Sequence, residues 1–240
     1  CRAYSHFVLA NMFCMPYNPA TAGNCLGIPY MDHAETDLNP RYERGTLQEV
    51  YEMIGKDIEA GIPLIDDTAY SVPKYHFNYK AACCFASRYY LFMQDWDNAI
   101  KYATMALTSN PSSLLRDYSA IAALPNGTSR HQEYVNSAST ANFLLQAATS
   151  NSGLLFDWYS TAGRYSHGKL QGIYETVQPK KGGPWGSSVT FKAPHAVLAS
   201  SGKYVLPRTW RVFQYTDPVA GTGFNKAISV LFTSEEALLN

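Results

Sequence analysis

Apolar residues recur at helical spacing through the first half of the chain. Leu47, Val50, Tyr51, Ile54 and Ile58 fall at the i, i+3, i+4 positions that give an α-helix one apolar face. Thr46 stands just before that stripe and Glu49 three residues after it, the reciprocal pair of a capping box. Gly61 and Pro63 close the helix. Upstream, "CRAYSHFVLANMFCM" patterns as an amphipathic helix over Arg2 to Met15, stopped by Pro16. The stretch between the two helices, residues 16–45, is too long for a simple connection and reads as an inserted loop. Further on, Asn78 is placed to cap "YKAACCFASRYYLFMQ", which turns at Asp95 into "WDNAIKYATMAL". Ala99, Ala103 and Ala106 occupy the face of this last helix where an ordinary amphipathic helix keeps leucine. Small residues admit close approach, so this helix is expected to pack against others on more than one side.

The pair has the period of a tetratricopeptide repeat, a helix-turn-helix unit of about 34 residues with small residues where its helices touch. With Pro111 as the closing proline, the repeat begins at Lys80. Ser87 then falls at the helix contact, Tyr90 at an aromatic position, Trp96 just past the turn, and Ala99 and Ala106 at the two small positions of the second helix. Ala103 departs from the pattern, which usually has a larger aromatic there.

From Ser112 the pattern changes. Residues 112–232 alternate short apolar runs with turn formers, as in "LPNGTS", "TAGRYSHGK", "KKGGPWGSS" and "GTGF". Strands are expected at "NFLLQAA", "GKYVLPR" and "KAISVLF". The fold class that follows is mainly α: a tetratricopeptide-like helical stack with an irregular, loop-rich lobe carrying a few short strands. The helical half covers 1–111 and the lobe 112–240, which leads into a further repeat helix capped near Thr233 or Ser234. Together they make one large domain.

Charge narrows the partners. Nineteen lysines and arginines balance nineteen aspartates and glutamates, so the basic surplus of a duplex-binding protein is missing and no nucleic-acid partner is expected. Charged residues make up 16% of the chain, below the roughly 25% usual for globular proteins, and 18 tyrosines supply much of the polar character instead. Each tyrosine suits either a helical core or a ligand-stacking surface. No apolar run reaches the roughly 18 residues a membrane helix needs. The chain starts at Cys1 inside a helix and stops inside another, so both ends read as breaks in a longer protein. The five cysteines (Cys1, Cys14, Cys25, Cys83, Cys84) show no paired spacing and read as free, buried, small apolar residues.

Complete motifs of nucleophilic, phosphate-binding and zinc chemistry are absent from the sequence: no G-x-S-x-G, no H-E-x-x-H and no G-x-x-x-x-G-K-[ST], since the "GRYSHGK" of residues 163–169 is followed by Leu170. The six histidines are dispersed and read as surface or loop residues; no cofactor and no metal ligand is assigned. Asp66 and Asp67 read as a solvated helix end, and a calcium site at Asp32 or Asp37 has no ligand spacing behind it. The aromatics of the second half carry more. "FDWYSTAGRYSHG" sets Trp158, Tyr159 and Tyr165 around Arg164 in a glycine-bearing loop, and "GGPWGSS" raises Trp185 on a glycine-proline platform. An aromatic face in water suits a sugar ring or a peptide side chain. Alternatively, each ring plugs its own loop down onto the helices. Trp210, flanked by arginines, reads as structural.

"RAYSHFVLANMFCMPYN", "LGIPY", "RGTLQEVYEMIGKDIEAGIPLI" and "YHFNYKAACCFASRYYLFMQDWDNAIKYATMAL" follow one another, with "ANFLLQ", "VFQYTD" plus a glycine-rich turn, and "LFTSEEALLN" later. In that order these stretches resemble the SusD/RagB-like nutrient-uptake lipoproteins of Bacteroidetes. The resemblance implies a surface-exposed lipoprotein of the cell outer membrane. It implies a lid on a TonB-dependent (SusC-like) transporter, capturing oligosaccharides, or peptides in some members, without being an enzyme. The lipid anchor, the N-terminal segment and the last repeats would lie outside these residues. Binding positions vary within the family, so Trp158, Tyr159, Arg164, Tyr165 and Trp185 rest on the loop argument alone. A tetratricopeptide scaffold for protein partners and, further off, a two-carboxylate glycoside hydrolase are the competing readings.

Overall fold

Four helices of the first half form where the stripes place them. They are α1 (Arg2–Phe13), α2 (Leu47–Gly61), α3 (Tyr79–Met93) and α4 (Trp96–Ala106). In this computed structural model, residues 1–36, 38–151 and 209–240 are described fully and 196–198 and 203–205 by backbone alone. The Thr46 hydroxyl accepts from the Glu49 N–H and the Glu49 carboxylate accepts from the Thr46 N–H, so the expected capping box starts α2. All five stripe residues of α2 are buried. Asn78 caps α3 by accepting from the Ala81 N–H. Gln94, in the left-handed region at φ 63°, turns the chain into Asp95, whose carboxylate caps α4 at Asn98.

The core of this unit is aromatic. Phe7 lies 5.5 Å from Phe85 and 6.2 Å from Tyr51, centroid to centroid, and Tyr51 stacks on Tyr89 at 5.9 Å. Ser87, Ala99, Ala103 and Ala106 are buried, as expected for a close α3–α4 contact, and Tyr90 stacks flat on Tyr102 at 5.3 Å and 4°. Trp96, just past the turn, is exposed. A short C-terminal helix, α7 (Ser234–Leu239), packs on α3 and α4, and the Glu236 carboxylate receives two hydrogen bonds from Arg88 at 2.5 and 2.7 Å. Cys1–Pro111 together with Ser234–Asn240 therefore form one unit, and Ser112–Thr233 form a second.

The second unit has more regular structure than expected. Two short helices, α5 (Tyr118–Ala123) and α6 (Gly127–Tyr134), occupy a stretch read as loop, capped by Asp117 and Asn126. Strand β1 (Asn142–Thr149) follows, then a two-strand ribbon, β2 (Ala196–Leu198) with β3 (Lys203–Val205). Next come β4 (Thr209–Asp217) and β5 (Thr222–Thr233), giving an antiparallel sheet in the order β1-β5-β4. The three expected strands correspond to β1, β3 and β5; β4 was not anticipated. Asn142, fully buried, secures the start of β1. Its Nδ2 donates to the Tyr134 and Asn136 carbonyls at 2.9 Å, and its Oδ1 accepts from Arg116, whose guanidinium lies over the Tyr134 ring at 3.9 Å.

Three expectations are corrected. All five cysteines are free, but only Cys83 and Cys84 are buried; Cys1 is exposed and Cys14 and Cys25 are intermediate. Burial pushes the Cys83 thiol up to about 11. His6 and His131 are buried helix residues rather than surface ones, each with Nδ1 bonded to the carbonyl four residues back. Of the acidic pair, Asp66 is exposed at a helix end as expected, but Asp67 is half-buried and tied to another helix. Asp66 caps a single 3₁₀ turn at Thr68, and Asp67 accepts from the Tyr79 N–H at the start of α3.

Candidate functional site

Trp158, Tyr159, Arg164, Tyr165 and Trp185 lie outside the described residues, as does Asp37. The surfaces that the described residues do build are a pinned loop, a cavity among the helices, and an aromatic hairpin.

The inserted loop returns to the helices along a defined path. Leu26 bridges to Thr46, the Gly27 N–H donates to the Gly45 carbonyl at 2.8 Å, and Arg44 Nε donates to the Gly27 carbonyl at 2.6 Å. A Cβ on Gly27 would stand 2.7 Å from the Thr46 oxygen and 2.6 Å from Val50, so this approach requires glycine. Tyr30, the last residue of "LGIPY", stacks on His6 at 3.9 Å and donates to Asp57 at 2.6 Å. The Met31 N–H donates to His6 Nε2, which assigns the ring hydrogen to Nδ1. Arg2 completes the cluster with a two-point grip on Asp57, at 2.5 and 2.6 Å.

Electrostatics make Asp57 a fixed anion. The Arg2 guanidinium holds its carboxyl below the usual carboxylate range, with the Tyr30 hydroxyl adding to the effect against burial. Burial, then the bond to Asp57, pushes the Tyr30 phenol well up. A carboxylate gripped by arginine and tyrosine is suited to holding the loop, not to exchanging protons with a substrate. Asp57 also edges a cavity of about 230 Å³ walled mainly by Ile58, Ile62, Tyr70, Phe77 and Phe85. Asp32 is committed elsewhere: its carboxylate pairs with His33 at 2.5 Å and its carbonyl accepts from Arg2. Among the described residues, no group of three or more histidine, cysteine or acidic side chains is placed to hold a metal. No described helix is long and apolar enough to cross a membrane.

In the second unit the distal half of the sheet is exposed: Gln146 to Thr149 on β1, Phe213 to Asp217 on β4, and Thr222 and Gly223 on β5. Phe213 and Tyr215 share one strand face and meet edge to face at 4.9 Å, with Tyr215 57% exposed. Their cross-strand partners are Asn225 and Gly223. The hairpin turn is closed by Asp217, which accepts from the Val219 and Ala220 N–H groups, and by Gly221 at φ +66°. Sequence reasoning noticed "VFQYTD" without seeing its use. The overlooked signal is the alternation Phe213-Gln214-Tyr215 before a glycine turn, a period of two that sets both rings on one side. Trp210, on the same strand, is half-buried opposite Ile228.

A helical stack with a pinned loop, joined in sequence to a small antiparallel sheet, is a fold this chain shares with a solved structure. Residues 1–91 match the family model SusD-like_3, described as starch-binding associating with outer membrane. A solved SusD superfamily protein from Bacteroides vulgatus is similar to 99% of this chain at 20% identity with a TM-score of 0.58. A second, from Bacteroides thetaiotaomicron, shares 23% identity over 68% of this chain and 31% of its own, with a TM-score of 0.44. The likeness is one of sequence over residues 1–91 and one of fold along the length of the chain. The chain spans half the length of the first of those structures. No curated protein matches it in sequence.

Proposed function

We propose that this chain is part of a cell-surface binding protein. It captures oligosaccharides, or peptides, and delivers them to a partner TonB-dependent, SusC-like transporter in the outer membrane. The observation that carries the reading is the match of residues 1–91 to a family described as starch-binding and associated with the outer membrane. The shared fold supports it, as does the near-neutral, tyrosine-rich composition, which suits an uncharged ligand better than a polyanion. In this reading the protein is held to the membrane by a lipid anchor and does no chemistry on its ligand. Trp158, Tyr159, Tyr165 and Trp185 offer ring faces to the sugars, and Arg164 bonds their hydroxyls. The helical unit, as the rigid part, meets the transporter.

The test uses the full-length lipidated protein. A glycan array identifies a ligand, and calorimetry then compares Trp185→Ala and Trp158→Ala with the parent; either should weaken binding by about 1 kcal/mol or more. Unchanged affinity in both variants removes those residues from the site. Co-purification from the native membrane should recover a TonB-dependent transporter, and failure to do so favours the scaffold reading.

A further inference from the structure

We infer that the exposed end of the β4–β5 hairpin is a second sugar-stacking site, with Tyr215 as the ring on which a neutral pyranose lies and Phe213 as its supporting wall. The inference rests on the glycan-capture reading above and names a place for it that does not depend on Trp158 or Trp185.

Four features of the hairpin point the same way. First, the two rings stand at 79° to each other, so they do not lie flat on and cover one another. Tyr215 is 57% exposed and Phe213 42%, on a strand whose last five residues are all exposed. Second, the residue across from Tyr215 is Gly223, so no cross-strand side chain covers the ring. A Cβ there would lie 2.9 Å from Phe213 Cε1 and 2.2 Å from the Gln214 carbonyl oxygen, so the site excludes any larger residue. Phe213 thus rests on a glycine and is held by it, as an aromatic laid over a strand glycine usually is. Third, the cross-strand polar neighbour on that face is an amide, with Arg211 two residues before Phe213 on the same strand. Asn225 sits opposite Phe213 and donates through Nδ2 to the Asn151 Oδ1 at 3.2 Å. Two adjacent amides offer both donors and acceptors, which is what the rim of a sugar ring requires. Fourth, the hairpin is stiff where it carries the rings. Asp217 binds two turn N–H groups, Thr216 donates to the Thr222 carbonyl, and Ser150 continues the β1 edge by donating to the Asn225 carbonyl. Ring positions fixed before binding lower the ordering cost that an exposed aromatic otherwise carries.

An open ring beside amides, on a chain with no net charge, suits a neutral sugar better than a protein. A pyranose has an apolar face and a polar rim, matching one open ring bordered by amides. A protein partner would need an apolar patch far larger than two rings.

Calorimetry on the full-length protein, with whichever of maltoheptaose, cellohexaose or a further array-identified neutral glycan binds it, decides the matter. Tyr215→Ala should weaken binding about tenfold, while Tyr215→Phe, which keeps the ring face, should bind as the parent does. Circular dichroism and thermal melts of Tyr215→Ala should match the parent's, so that a loss of binding is not a loss of fold. Parent-like affinity in Tyr215→Ala with weakening in Trp158→Ala or Trp185→Ala overturns this site and leaves the capture reading standing. Equal losses in Tyr215→Ala and Tyr215→Phe overturn the stacking role. No binding of any arrayed glycan to the intact protein overturns both.

Discussion

Replacing Gly55 with alanine should destabilise the helical unit, against the usual effect of that change. Gly55 lies mid-way along α2, where Gly→Ala ordinarily stabilises a helix by about 1 kcal/mol. Here a Cβ would stand 2.7 Å from the Tyr89 hydroxyl oxygen and 3.4 Å from Cζ. Tyr89 is 2% exposed, stacks on Tyr51, and donates its hydroxyl to the Tyr51 carbonyl at 2.6 Å. Ordinary contact begins near 3.4 Å, so the hydroxyl must retreat by roughly 0.7 Å into a packed aromatic core. Overpacking of this kind costs about 1–3 kcal/mol, and straining the buried hydrogen bond adds about 1 kcal/mol. Set against the propensity gain, the net loss is about 1–3 kcal/mol. Urea denaturation followed by far-ultraviolet circular dichroism measures it, and a double-mutant cycle identifies the cause. Tyr89→Phe alone should destabilise, since the hydrogen bond is lost; placed on Gly55→Ala it should cost much less, because it removes the atom in the way. A stabilised Gly55→Ala variant, or strictly additive losses, would refute the reasoning.

Thr46→Ala should destabilise the same unit by about 1 kcal/mol, because it removes the hydroxyl half of the capping box; a thermal melt unchanged within error would contradict this. Ala99→Leu should cost roughly 1–3 kcal/mol by forcing α3 and α4 apart, and a neutral melt would count against the repeat packing. Stability should also depend on acid through Asp57. Its folded pKa lies below the unfolded one, so its contribution is complete above the unfolded value of about 4 and is lost as pH falls through the folded value. Urea midpoints measured from neutral pH down to about pH 3 should decline less in Asp57→Asn than in the parent.

The helical unit was legible because its signals are local. Thr46 with Glu49, Asn78, and the stripe from Leu47 to Ile58 each lie within a few turns of what they specify, and each does what its spacing indicates. Helix α6 was not legible for the opposite reason. "GTSRHQEY" has no apolar stripe, and what it buries is Gly127 and His131, a glycine and an imidazole. His6 escaped similarly: its ring is buried by Tyr30 and Met31, which arrive from a loop some 25 residues away. Strand β4 was obscured because its distal end is exposed on both faces, so polar and apolar residues do not sort cleanly by side. For the candidate site, composition and loop context pointed to aromatics in the second half. The alternation Phe213-Gln214-Tyr215 puts two rings on one side, but that Gly223 stands opposite Tyr215 follows only from the register. The loop aromatics Trp158, Tyr159, Tyr165 and Trp185, with Arg164, lie outside the described residues.

The helical unit is discontinuous in sequence: Cys1–Pro111 is rejoined by Ser234–Asn240. This has a consequence for synthesis on the ribosome. When α3 and α4 emerge, the helix that packs on both of them, and the Glu236 that binds Arg88, are still untranslated. All of Ser112–Thr233 must be made first, a delay on the order of ten seconds at ordinary elongation rates. Through that interval the nascent stack carries an uncovered helix face and an arginine waiting for its carboxylate. The helical unit is therefore begun before the inserted one and completed after it. A pause in translation within the inserted segment should lengthen the exposure of α3 and α4 to chaperones or proteases without changing a single contact in the finished protein.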